Sequence, residues 1–77
     1  MHSETERRFY TRDGQKCWEK YAFLVIERIY HYEMESDMPV RIERRAWLVS
    51  APNDVKEFKN KKELDGWMKS QVGQAET

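Results

Sequence analysis

The chain has 77 residues, 39% of them hydrophobic and 13% aromatic, and its 14 basic residues balance 14 acidic ones. That length holds one domain and excludes a second core, since so short a chain buries only about 60% of the surface its unfolded form exposes. Zero net charge with this apolar content excludes a disordered polyelectrolyte, and it removes the overall basic field expected of many nucleic-acid binders.

Residues 1–6 are polar and acidic, the reverse of a signal peptide's basic and then apolar order. They read as a frayed tail, as do residues 73–77, on either side of a single α+β domain over 7–72. The lone Cys17 cannot form an internal disulfide, which suits a reducing compartment. The longest apolar run, residues 21–26, is too short to span a bilayer. A cytoplasmic protein without a membrane partner is the expectation.

The first structural signal is Asp13-Gly14, a pair suited to a two-residue type I′ hairpin turn. Such a turn sets Phe9 opposite Trp18, Tyr10 opposite Cys17 and Arg8 opposite Glu19, an aromatic pair and an opposite-charge pair among them. Residues 21–32 are rich in β-branched and aromatic side chains and read as a strand. Residues 36–39 are a turn, and 40–49 a second strand. Placing Glu33 opposite Arg41 brings His31 to Glu43 and Ile26 to Leu48, whereas a one-residue slip sets Arg28 against Arg45 or Glu33 against Ile42. The alternative for this region is a helix over about 15–35 capped by Asp13, which would have to bury apolar stripes on two sides.

Further on, residues 51–54 form a turn and 55–58 a short edge strand. Asn60 and Glu63 have the spacing of a capping box. Leu64, Trp67, Met68 and Val72 recur on one face of a helix that Gly73 would stop. The fold class is therefore a small antiparallel β-meander of three to four strands with one C-terminal helix on one face.

Catalytic and metal signatures are weak. Cys17, His2 and His31 lack the close spacing of a structural zinc site, so neither a metal nor a cofactor is expected. Cys17 with His31 would need a pocket that nothing here suggests, and Gly14, Gly66 and Gly73 are too scattered for a phosphate loop. The sequence reads as that of a protein that binds and does not catalyse, with no small-molecule substrate implied.

Two binding surfaces are candidates. In the hairpin, Arg28, Tyr30, Tyr32 and Arg44 share one face. The other holds Phe23, Val25, Ile29, His31, Arg45, Trp47 and Val49 and is the face expected to take the helix. Tyr and Arg are enriched at interface hot spots, so the first reading is a protein-binding module, a regulator or inhibitor, or a self-associating one. The plainer account of these tyrosines is that they cap the sheet, with Arg44 stacked on Tyr30. The alternative function is nucleic-acid binding along a basic stripe of Arg41, Arg44, Arg45, Lys56, Lys59, Lys61 and Lys62. Those lysines oppose the dipole at the helix start, where free amides favour anions, or they are an ordinary solvated charge run.

Overall fold

The computed structural model describes residues 2–35 and 37–72. Strands β1 (His2–Tyr10), β2 (Leu24–Tyr32), β3 (Arg41–Leu48) and β4 (Lys56–Phe58) precede a single helix, α1 (Lys61–Gln71). The strands form one antiparallel sheet in the order β1-β2-β3-β4. This is the α+β meander that the patterning predicts.

Alternation explains why residues 24–32 are strand and not helix. The two apolar stripes that a helix would present on opposite sides become the two faces of a sheet. Leu24 and Ile26 lie on one face and Val25 on the other, and all three are buried. The helix alternative over 15–35 is thus overturned, leaving only a one-turn 3₁₀ segment at Glu19–Tyr21.

Four further expectations are corrected. Residues 2–6 are not a frayed tail, because β1 runs from His2 and pairs with β2 along its whole length, from His2 opposite Tyr32 to Tyr10 opposite Leu24. Its first side chains are exposed, so the segment carries no apolar signal. Its order comes from backbone pairing, which sequence composition does not report. The segment 73–77 and the stop at Gly73 lie outside the described residues.

Asp13-Gly14 does turn the chain, but with a longer loop. The Gly14 N–H donates to the Thr11 carbonyl at 2.9 Å, and the Thr11 N–H donates to the Gln15 carbonyl at 2.8 Å. Gly14 takes the left-handed conformation, φ 87°, which closes a three-residue loop. The facing residues are Tyr10 and Lys16, and the ladder ends there. Trp18 is 78% exposed and does not oppose Phe9.

The β2–β3 register differs by two residues from the expected one. Leu24 faces Leu48, Ile26 faces Ala46, Glu27 faces Arg45, and Arg28 faces Arg44. Charge matching between two strands alone disfavours Arg28 against Arg44. With β1 present, however, Glu6 lies opposite Arg28 and Arg7 opposite Glu27, so Arg28 gains an opposite charge from the third strand, while Arg44 gains none.

A shift of two residues leaves the side chains of β2 and β3 on their expected faces, but Phe23, expected beside Val25, joins the core under α1, and α1 covers the other face from the one expected. Its fully buried Leu64 packs with Leu24, Ile26 and Ala46, joined by Tyr10, Phe23, Leu48, Phe58, Trp67, Met68 and Val72. The reason is composition. On that face Leu24 and Ile26 of β2 meet Leu48 and Ala46 of β3 with no charge between them, whereas Val25 and Trp47 on the other are followed at once by Glu27 and Arg45. Asn60 caps α1, accepting from the Glu63 N–H at 2.9 Å, while the Glu63 carboxylate accepts from the Lys59 N–H at 3.2 Å.

Candidate functional site

Because α1 reaches only the Leu24 and Leu48 end, β1, β2 and β3 run on past the core as a sheet without a helix. Arg28, Tyr30, Tyr32 and Arg44 lie together on this outer half, on the same face as α1. Around them β1 places Glu6, Arg8 and His2.

Glu6 is the hub. Its carboxylate accepts from the Tyr30 hydroxyl at 3.1 Å and from Arg8 at 3.2 Å, and lies 4.0 Å from Arg28. Burial opposes its ionisation, but the hydrogen bonds of Arg8 and Tyr30 and the charges of Arg8 and Arg28 hold its carboxyl below the ordinary value. Desolvation and the bond to Glu6 raise the Tyr30 phenol. Tyr32 stacks flat on His2, with centroids 4.9 Å apart. These contacts set both tyrosines in fixed positions, half-buried.

Arg44 stands apart from this order. It lies directly opposite Arg28, a like-charge pair across the strands. Among the described residues no carboxylate pairs with it, and its Nε is buried without a hydrogen-bond partner. Arg45 Nε is buried unpaired as well, but the terminal nitrogens of Arg45 reach Glu43 at 3.2 Å and Glu27 at 3.9 Å. Of the three arginines on this face, Arg8 and Arg28 therefore share Glu6, and Arg44 has no part in it.

The face without a helix is differently built. Across it runs a row of alternating charge. Arg7 Nε donates to Glu27 at 2.9 Å, Arg45 links Glu27 to Glu43, and Glu43 receives Arg41 at 3.5 Å and His31 Nε2. The His31 bond, with the charges of Arg41 and Arg45, keeps the Glu43 carboxyl below its usual value. Ser3 meets the other ring nitrogen of His31 at 2.9 Å. Next to this row, Phe9, Ala22, Val25, Trp47, Val49 and Pro52 line an open cleft of about 250 Å³.

The basic set does not form one stripe. Arg44 lies on the opposite face from Arg41 and Arg45, and both of the latter are tied to carboxylates. Lys56 pairs with Asp54 at 3.2 Å and Lys61 with Asp65 at 4.0 Å. Lys59 and Lys62 are exposed near the start of α1. Sequence reasoning missed Glu6, Arg8, Arg7 and Glu27, because reading residues 1–6 as a tail removed the pairing of β1 with β2 that brings Glu6 to Arg28 and Arg7 to Glu27.

Among the described residues no group of three or more His, Cys, Asp and Glu side chains is placed to hold a metal ion, and no helix is long and apolar enough to cross a membrane. The arrangement on the outer half can donate planar guanidinium hydrogen bonds beside two positioned aromatic rings, which is the chemistry of a binding surface for carboxylates. No protein-family model matches this chain, and no curated protein or solved structure matches it.

Proposed function

We propose that the protein is a non-catalytic binding module that takes an acidic segment of a protein partner against Arg28, Tyr30, Tyr32 and Arg44. One observation carries the reading. Arg44 faces Arg28, has no carboxylate of its own among the described residues, and keeps a buried Nε unpaired. Buried polar groups are normally satisfied, and the cost of leaving one unmade is about 1–3 kcal/mol. A partner carboxylate seated between the two guanidinium groups would relieve the like-charge contact by accepting from their terminal nitrogens, Arg44 Nε itself lying out of reach of a partner. Tyr30 and Tyr32 flank it with rings already ordered by Glu6 and His2, so little side-chain freedom is lost on binding.

The test is affinity capture with three immobilised forms of the chain. Wild type and a Lys62→Gln control on the helix should retain the same partner, which Arg44→Gln with Tyr32→Ala should lose. Equal retention by all three removes this face from the function. Anisotropy with mixed-sequence DNA and RNA over a salt series is the companion measurement. A steep dependence of affinity on salt would mean several phosphate contacts and would replace the protein partner with a nucleic acid.

A further inference from the structure

The outer edge of β1 is open over most of its length, and its backbone geometry is legible from two contacts. At its end, the Tyr10 carbonyl accepts from the Phe23 N–H at 2.8 Å, on the side of β2, while the Phe9 carbonyl accepts from the Cys17 N–H at 2.9 Å, on the outer side. In an antiparallel strand successive residues direct their N–H and C=O to alternate edges. Ser3, Thr5 and Arg7 therefore turn both groups outward. Among the described residues no backbone hydrogen bond reaches them there. The register with β2 runs without a bulge from His2 to Tyr10, and β1 contains no proline. Two of the common devices that blunt a sheet edge are missing.

We propose that β1 pairs with β1 of a second copy, antiparallel about a two-fold axis through Thr5, joining two sheets into one. The register follows from elimination. Lys16 and Cys17 occupy the outer edge at Phe9 and Tyr10. A register centred on Glu6 or Arg7 would drive Ser3 or Thr5 of the second copy into that segment, and one centred on Glu4 pairs fewer residues. Centred on Thr5, the strands meet from His2 to Arg8 and form about six backbone hydrogen bonds.

Side-chain chemistry fits the same register. Thr5 faces Thr5, a favourable cross-strand pair, and Ser3 faces Arg7. Glu4 is exposed, and among the described residues its one charged-group contact is with the His2 ring, at 3.7 Å. Across the two-fold axis it stands directly opposite Glu6, a like-charge pair that costs stability, and lies diagonal to Arg8, which offsets it. Glu6 of each copy is already bonded to Arg8 and 4.0 Å from Arg28, so the cluster that receives Glu4 carries one negative and two positive charges. Glu4 neutralises it. Each copy donates one such carboxylate and receives one, which is what two-fold symmetry requires. The inference does not depend on the partner proposed for Arg44.

Sedimentation velocity on the full chain from micromolar to millimolar concentration tests it, beside Thr5→Pro. The proline removes an N–H that points away from β2, so pairing within the chain survives. Wild type should dimerise, and Thr5→Pro should raise the dimer dissociation constant at least about tenfold, because two donors vanish and two carbonyls lose their partners. A wild type that stays monomeric, or a proline variant that dimerises as well as wild type, overturns the proposal. Should Thr5→Pro fail to fold, cysteine cross-linking in a Cys17→Ser background decides. Thr5→Cys should oxidise readily to a disulfide-linked dimer and Arg7→Cys should not, its two copies lying about 13 Å apart along the strands. Equal cross-linking at both positions overturns the register.

Discussion

Arg7 Nε donates at 2.9 Å to Glu27, whose side chain is only 8% exposed, on the face of the sheet opposite α1. Glu27 is the one buried charged side chain among the described residues. Its second oxygen lies 3.9 Å from Arg45, so Arg7 supplies its nearest compensation. Arg7 itself is more than half exposed, which limits the energy of the pair through screening. The larger effect is what is left behind when Arg7 goes. Arg7→Ala should lower stability by about 1–3 kcal/mol, the cost of an under-satisfied buried acceptor, measured by urea denaturation. Glu27→Gln, which keeps shape and removes the charge, should cost less than Arg7→Ala. The reverse order would mean that Glu27 is solvated through the cleft beside Trp47.

Glu6 and Glu43 predict the acid limb of the stability profile. Both carboxyls are held below the ordinary value of 4.5, Glu6 by Arg8, Tyr30 and Arg28 against the opposing effect of burial, and Glu43 chiefly by His31. An unfolded chain takes up these protons first as pH falls, so the native state loses ground from about 4.5 downward. The stabilisation is present above that value and vanishes as pH passes through the lower native pKa values. Thermal melts of wild type and Glu43→Gln should therefore differ near neutral pH and converge in acid. A gap that stays constant down to strongly acidic pH would show that Glu43 acts by packing and not by charge.

Gly14 joins the first turn to the end of the helix. Its φ of 87° suits glycine, and a Cβ there would stand 3.3 Å from Val72 Cγ2. Gly14→Ala thus meets backbone strain and a tight contact together. A loss of about 1–2 kcal/mol is expected, or roughly 4–8 °C in Tm for each kcal/mol at this chain length. Shortening the neighbour separates the causes. In a Val72→Ala background the contact is gone, and the residual cost of Gly14→Ala reports the backbone alone. If that residual is zero, the left-handed conformation is not maintained in solution.

These residues also mark how far the sequence could be read. The strand expected over 21–32 and found at Leu24–Tyr32, the edge strand ending at Phe58, the cap at Asn60 and the apolar face of α1 all follow from local chemistry, which acts within a few residues, although Tyr21 belongs to the preceding 3₁₀ turn. The shared face of Arg28, Tyr30, Tyr32 and Arg44 was legible too, because it needs only alternation and an even offset between strands. What was not legible required a third element. Arg28 opposite Arg44 is disfavoured between two strands alone, Glu6 from β1 offsets only the Arg28 charge, and nothing in the polar segment 2–6 announces a strand. The face chosen by α1 depended on comparing two half-apolar surfaces whose extent is set by that register. Gly14 signalled a turn correctly, while its length was decided by Thr11, whose hydroxyl bonds Asp13 at 2.6 Å and receives the Gln15 N–H at 3.1 Å.

Gly66 provides the opposite case to Gly14, and it tests whether α1 is limited by its own propensity or by its packing. The helix is anchored by Leu64, with Trp67, Met68 and Val72 against the sheet, and its short length makes it dependent on that contact. Gly66 is exposed in its interior, and a Cβ built there meets nothing within 4 Å. Alanine at this position keeps every existing contact and reduces the freedom of the unfolded chain. Gly66→Ala should raise stability by about 0.5–1 kcal/mol, seen as a higher urea midpoint with an unchanged slope. Leu64→Ala should cost about 2–5 kcal/mol, and the gain from Gly66→Ala should persist in that background if the helix stays docked. Should the gain vanish there, α1 has left the sheet once Leu64 is lost, and the order of the helix derives from that single buried side chain.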